Sequence, residues 1–213
     1  MSIEALIFDI GNVVVSFDWG PAESRLESRC TNFSGEALAE YRKLIRRLDL
    51  GELTGEEFSS LTKPLIGFQG DHAEFAAIWN SIFSANPAME RTIATLKERY
   101  PLFLISNTSD LHLDYLTQNY GVFRHFADGV YSFRAKCAKP DAKIFEIAVR
   151  QFGVNPAATA FVDDLAVNVA SASAAGLNAI RYDLNNHSSF EKACSDLGIH
   201  PNVNEPSVGQ ASA

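Results

Sequence analysis

The sequence predicts an α/β fold, a mostly parallel sheet covered by helices, with a helical subdomain inserted after the first strand. Three observations lead there. Short apolar runs alternate with longer segments of helical period. One connection is far longer than an ordinary strand-to-helix loop. Polar residues follow the apolar runs, at the strand ends where open parallel sheets hold their ligands.

The expected strands are Ala5 to Phe8, Leu102 to Ile105, Val130 to Phe133, Thr159 to Val162 and Ala179 to Tyr182, each short, apolar and followed by polar or glycine-containing sequence. Residues 18–87 are the insert, and they read as helical. Leu38, Tyr41, Leu44, Ile45 and Leu48 follow a spacing of three and four, with Ser34 as N-cap and Gly51 as stop. Thr54 and Glu57 form a capping box. Asp71 and Glu74 resemble another, opening a helix with Phe75, Ile78, Trp79, Ile82 and Phe83 on one face. A helix with Ile93 and Leu96 gives way at Tyr100-Pro101 to the second core strand. The expected division is thus residues 1–17 and 88–200 as the α/β core, 18–87 as a helical cap, and 201–213, which lack apolar periodicity, as a flexible tail.

Composition narrows the function. With 18 Lys and Arg against 26 Asp and Glu the formal charge is −8, which disfavours a nucleic-acid partner. At 46% apolar residues the chain can build a packed core. No apolar run approaches the roughly 20 residues of a membrane span, and the start of the chain lacks the features of a secretory signal. The cysteines are Cys30, Cys137 and Cys194, an odd number without a CxxC pair. The expectation is a cytoplasmic protein, monomer or homodimer, acting on a small molecule away from membranes. His72, His112, His125, His187 and His200 show no ligand-like spacing, so a transition-metal site is not expected.

Four polar clusters sit beside apolar runs, and each alone has a local explanation. Asp9 can be a turn residue, Ser106-Asn107 can cap a helix, Lys139 can be solvated ahead of Pro140 at the first helical position, and Asp163-Asp164 can favour a helix N-terminus. Together they supply what phosphoryl transfer requires. Mg²⁺ takes oxygen ligands, one or two of them protein carboxylates, available from Asp9 and the Asp163-Asp164 pair. Ser106, backbone N–H groups and Lys139 can hold the remaining phosphate oxygens. A carboxylate can itself attack phosphorus and form an aspartyl-phosphate.

In order, Ile7-Phe8-Asp9-Ile10-Gly11-Asn12-Val13-Val14, Leu104-Ile105-Ser106-Asn107-Thr108, Lys139-Pro140-Asp141 and Phe161-Val162-Asp163-Asp164 with Asn168 resemble the four motifs of the haloacid dehalogenase superfamily, in its Mg²⁺-dependent phosphatase branch. The resemblance covers residues 5–182. It implies a Rossmann-like doubly wound parallel sheet, Asp9 as nucleophile, Ser106, Asn107 and Lys139 around the phosphoryl group, and Mg²⁺ held by Asp9, the Gly11 carbonyl, Asp163 and Asp164, with Asn168 behind them. It also implies that the insert is a cap that closes over a small phosphorylated substrate and excludes water.

Gly11 departs from that pattern, because most of these phosphatases carry there a second Asp that acts as general acid and base. A positioned acid or base is worth about 10² to 10⁴ in rate. The Asp-x-Gly-Asn form resembles a subgroup with sugar-phosphate phosphatases, some acting on glucose 1-phosphate. A hemiacetal phosphate leaves with less help from an acid, so a sugar 1-phosphate ranks first as substrate. Asp18 can either replace the acid or cap a helix. In the cap, Arg46 and Arg47 can meet an anionic or polyhydroxyl substrate, and Trp19 or Trp79 can stack on a ring. Two other functions stay open: a metal-independent 2-haloacid dehalogenase, against which the adjacent carboxylates argue by mutual repulsion, and a catalytically impaired phosphate-binding or regulatory module marked by Gly11.

Overall fold

The computed structural model describes residues 2–201, so the expected tail lies, apart from Pro201, outside the described residues. In chain order the elements are β1 (Ala5–Phe8), β2 (Val15–Phe17), α1 (Trp19–Glu27), α2 (Gly35–Asp49), α3 (Gly55–Ile66), α4 (His72–Asn80), β3 (Phe83–Ala85), α5 (Pro87–Leu96), β4 (Leu102–Ser106), α6 (Asp110–Asn119), β5 (Asp128–Tyr131), α7 (Ser132–Ala135), α8 (Ala142–Phe152), β6 (Thr159–Asp163), α9 (Ala166–Ala174), β7 (Asn178–Arg181) and α10 (His187–Asp196).

Five strands form one parallel sheet in the order β5-β4-β1-β6-β7. Alternation along each strand feeds two cores. Leu6, Phe8, Leu102, Leu104, Ala160 and Val162 point into one layer. Ala5, Ile7, Phe103, Ile105 and Phe161 point into the other. Strands covered on both faces read as unbroken apolar runs, which makes them visible in the sequence.

The chain order reverses at β1, whose neighbours β4 and β6 arrive from opposite directions, and such a switch point opens a crevice at the carboxyl ends. Phe8 pairs with Leu104 and Val162, so Asp9 emerges between the ends of β4 and β6. The Asp9 amide donates to Val162 O (2.9 Å) and fixes that position.

Several elements differ from the sequence expectation. The β5 strand ends at Tyr131, and Ser132 to Ala135 form a helical turn, because the Ser132 hydroxyl joins the Thr108 backbone (3.0 and 3.1 Å) and draws the chain out of the ladder. Helix α8 begins at Ala142 under an Asp141 cap, which leaves Pro140 outside the helix. Helix α4 stops at Asn80, so Ile82 lies beyond it and Phe83 opens β3. That strand pairs antiparallel with β2, a two-stranded ribbon that the sequence pattern does not predict.

Helices α1 to α4 gather around a third core containing Leu26, Tyr41, Phe58, Phe75 and Trp79. Both halves of the Thr54-Glu57 capping box are formed, and Asp71 caps α4 through the Glu74 amide (2.8 Å). Helix α6 meets this core through His112. Its ring stacks on Trp79 at 5.3 Å and its Nε2–H donates to the Trp79 carbonyl (3.4 Å). Among the described residues no helix is long and apolar enough to cross a membrane.

Burial lowers the His112 pKa from 6.5 to about 4, since the charged ring cannot be solvated there. The unfolded chain therefore binds the extra proton first, and stability is lost as pH falls from 6.5 towards 4. Relative to His112→Phe, wild type should lose on the order of 3 kcal/mol across that window in urea unfolding. A pH-independent difference between the two proteins would show that the ring titrates normally.

Candidate active site

Asp9 is buried just beyond β1, and its Oδ1 accepts from the Ile10 amide (2.7 Å) and from Lys139 Nζ (2.8 Å). The same ammonium donates to Asp163 Oδ2 (2.6 Å), and its side chain is 1% exposed. Among the described residues no hydrogen bond reaches Asp9 Oδ2, which leaves that oxygen available.

Both oxygens of Asp163, at the end of β6, are occupied. Oδ1 accepts from Leu165 N (2.9 Å) and Asn168 Nδ2 (3.0 Å), and Oδ2 accepts from Lys139 and from Asn168 Nδ2 (3.1 Å). Asp164 is looser, its carboxylate meeting Asn12 Nδ2 (3.3 Å) and its own backbone N–H among the described residues. Oxygens of Asp9, Asp163 and Asp164 lie within 4.8 Å of one another, and no other group of three acidic, His or Cys side chains among the described residues is so placed.

Three carboxylates face one ammonium, and the protonation behaviour registers the imbalance. Burial, with the Asp163 charge adding to it, outweighs Lys139 and raises Asp9 to about 6. Asp164 is also raised, chiefly by burial and then by Asp163 against the Asn12 hydrogen bond. An all-oxygen donor set with surplus negative charge fits a hard divalent cation such as Mg²⁺.

Ser106 ends β4 in a buried position, and among the described residues nothing bonds its hydroxyl. The Asn107 side chain is engaged by the Lys139 backbone. Its Nδ2 donates to Lys139 O (2.9 Å) and its Oδ1 accepts from Lys139 N (2.8 Å). The carboxamide thus clamps the backbone of the residue that carries the ammonium.

Two features go beyond the sequence assignment. Asn12 has φ +54°, a left-handed conformation that asparagine tolerates. Its Oδ1 accepts from Phe17 N (3.2 Å) while its Nδ2 reaches Asp164, which ties the β1–β2 turn to the acid pair. The signal for it is the Asn after Gly11, which the motif contains without a role. At Gly11 an added Cβ would lie 2.8 Å from the Phe17 ring, so a side chain here requires that ring to move.

A cavity of about 140 Å³ opens between Gly11, Ser106 and Asn107 and the helical insert, where Trp19, Asp49 and Trp79 line it. Asp18 caps α1 through the Gly20 amide (2.9 Å) and is not a wall of this cavity. Arg46 and Arg47 are exposed on α2, Arg47 paired with Glu52 (3.3 Å), and neither lines the cavity. Trp79 is buried among Trp19, Phe58 and Phe75, so most of its ring is core.

A family model for haloacid dehalogenase-like hydrolases matches residues 3–176. The chain belongs to the haloacid dehalogenase-like hydrolases. It is therefore an enzyme of hydrolase type. Among curated relatives of this hydrolase, the D-ribitol-5-phosphate phosphatase of Bacteroides thetaiotaomicron is 24% identical over 176 residues, covering 78% of this chain and 85% of the relative. The fold is shared with a haloacid dehalogenase family enzyme from the same organism: TM-score 0.81, 22% identity, 89% of this chain and 99% of that one. A wild-type structure of that enzyme, complexed with magnesium and inorganic phosphate, gives TM-score 0.77 at 23% identity, covering 86% and 96%. The L-2-haloacid dehalogenase of Xanthobacter autotrophicus gives 0.59 at 20% identity, covering 84% and 77%.

Replacing Asn107 by Ala would orphan the Lys139 amide and carbonyl together. The expected loss is about 2 kcal/mol in urea unfolding, from unsatisfied buried backbone groups. A loss below about 0.5 kcal/mol, in the range of an ordinary surface change, would mean that the clamp does not hold Lys139.

Proposed function

We propose that this hydrolase is a Mg²⁺-dependent phosphatase that cleaves the phosphomonoester of a small metabolite, a sugar or polyol phosphate, through an aspartyl-phosphate on Asp9. The observation that carries this reading is the set of three carboxylates around one buried ammonium at the sheet's switch point. The activity of the ribitol-phosphate relative and the magnesium-and-phosphate complex of the structural neighbour agree with it.

Asp9 Oδ2, with no hydrogen bond to occupy it among the described residues, is the attacking oxygen. Lys139, braced by Asn107, favours the ionised carboxylate and orients it through Oδ1. The Ser106 hydroxyl donates to a phosphoryl oxygen. Asp9, Asp164 and the Gly11 carbonyl would hold Mg²⁺, while Asp163, its oxygens engaged by Lys139, Leu165 and Asn168, fixes the geometry around them. When bound, the cation supplies Lewis-acid neutralisation of the phosphoryl charge. Residues 18–87 serve as the cap that encloses the carbon skeleton and excludes water.

The test is phosphate release from p-nitrophenyl phosphate and a panel of sugar and polyol phosphates, with Mg²⁺ or with EDTA. Turnover should vanish with EDTA and fall by at least about 10⁴-fold in Asp9→Asn, the scale on which loss of a catalytic nucleophile acts. Undiminished turnover in Asp9→Asn would refute the covalent route, and indifference to EDTA would refute the metal.

A further inference from the structure

The core offers no proton donor for the leaving oxygen at the position next to the nucleophile's strand end. Gly11 has no side chain, and the Phe17 ring stands where one would begin. The titratable side chains lining the adjacent cavity are Asp49 and His112. His112 is neutral at pH 7, its pKa lowered to about 4 by burial, and it is pinned against Trp79, so it has no proton to give an alkoxide.

Asp49 ends α2 and faces the cavity that contains Gly11 and Ser106. Among the described residues no donor and no cation is bonded to its carboxylate, although the residue is half-buried. A second cavity of about 280 Å³ inside the insert adjoins the first, and Trp19, Ile45, Asp49 and Trp79 line both. If the phosphoryl group sits at Asp9 and the carbon skeleton in the insert, the bridging ester oxygen passes this junction.

We propose that Asp49, brought by the helical insert, is the general acid and base that serves the leaving oxygen in place of the side chain Gly11 lacks; this rests on the phosphatase reading above. In the first step Asp9 Oδ2 bonds to phosphorus as the bond to the ester oxygen breaks. The electron pair stays on that oxygen, which takes the proton from Asp49, and the alcohol departs. In the second step the Asp49 carboxylate removes a proton from a water whose oxygen attacks phosphorus. The Asp9–phosphorus bond breaks with its electrons returning to Asp9, which releases phosphate and leaves Asp49 protonated.

Burial without a countercharge raises the Asp49 carboxyl to about 6, a value suited to giving and taking a proton near neutrality. The charged or titratable groups that share its cavities are Glu23 from α1, Arg42 and Tyr41 from α2, and His112 from α6. With an acid in the insert, the substrate need not be a hemiacetal phosphate. An ester of an ordinary alcohol, such as a polyol 5-phosphate, becomes equally suitable.

The test compares wild type, Asp49→Asn and Asp49→Glu on p-nitrophenyl phosphate, whose leaving group departs as an anion, and on the best alkyl phosphate of the panel. In Asp49→Asn, kcat on the alkyl phosphate should fall at least about 100-fold and the basic limb of its pH profile should vanish. On p-nitrophenyl phosphate the initial burst of nitrophenolate should change in rate by less than about 5-fold while steady-state kcat falls with the slowed hydrolysis of the aspartyl-phosphate, and Asp49→Glu should recover part of the alkyl turnover. Equal losses in the burst step on both substrates, or a raised KM with kcat intact, would overturn the proposal while leaving the phosphatase reading in place. A wild type inert towards every phosphate would overturn both. In Asp49→Asn an amide replaces, at equal size, a carboxylate that is unpartnered among the described residues, so a melting temperature no lower than that of wild type is expected, and it separates a chemical loss from misfolding.

Discussion

The Lys139 ammonium lies 2.8 Å from Asp9 and 2.6 Å from Asp163, almost wholly removed from water, and the geometry of the site is organised around it. A buried charge is tolerated only when it is paired and its donors are used. Here the pairing depends on distant parts of the chain. The register of β1 against β6 sets Asp9 beside Asp163, and the Asn107 carboxamide at the end of β4 holds the backbone of Lys139 from the other side. The sheet topology and the site chemistry are therefore one constraint, since a slip of either strand would separate the charges.

That constraint leaves the cluster overcharged, with three acids against one base. Where a structural ion-pair network would be balanced, this one keeps acceptors in reserve, Asp9 Oδ2 and most of the Asp164 carboxylate. A fold whose interior could as well be apolar gains nothing in stability from such a surplus. It is intelligible as the resting form of a centre that meets a cation and an anionic substrate. The insert complements it, bringing aromatic walls and the Asp49 carboxyl to a core that has none to offer at Gly11.

Much of this is legible in the sequence because the signals are local. Strands buried on both faces read as Ala5-Leu6-Ile7-Phe8 and Thr159-Ala160-Phe161-Val162, and the acids that follow them form the carboxylate cluster. The capping box at Thr54 is visible for the same reason. The β2–β3 ribbon is not, since each strand is three residues long and its partner lies far along the chain. Phe83 extends the apparent face of α4 although it belongs to that ribbon. The Asn107 clamp on Lys139 is not legible in the sequence, because it depends on a contact across 32 residues. Asp49 looks like the end of an amphipathic helix, since only the docking of the insert sets it against the cavity at Gly11.

The surplus of negative charge is tested most directly by thermal unfolding of wild type and Asp164→Asn, with and without Mg²⁺. Without metal, Asp164→Asn should melt above wild type, because it removes a carboxylate whose ionised form burial and Asp163 disfavour while its side-chain oxygen can still accept from Asn12. With Mg²⁺ wild type should rise and the variant should not, so that their order reverses. A variant that melts lower without metal and still gains stability from Mg²⁺ would contradict the account of the cluster as a cation site.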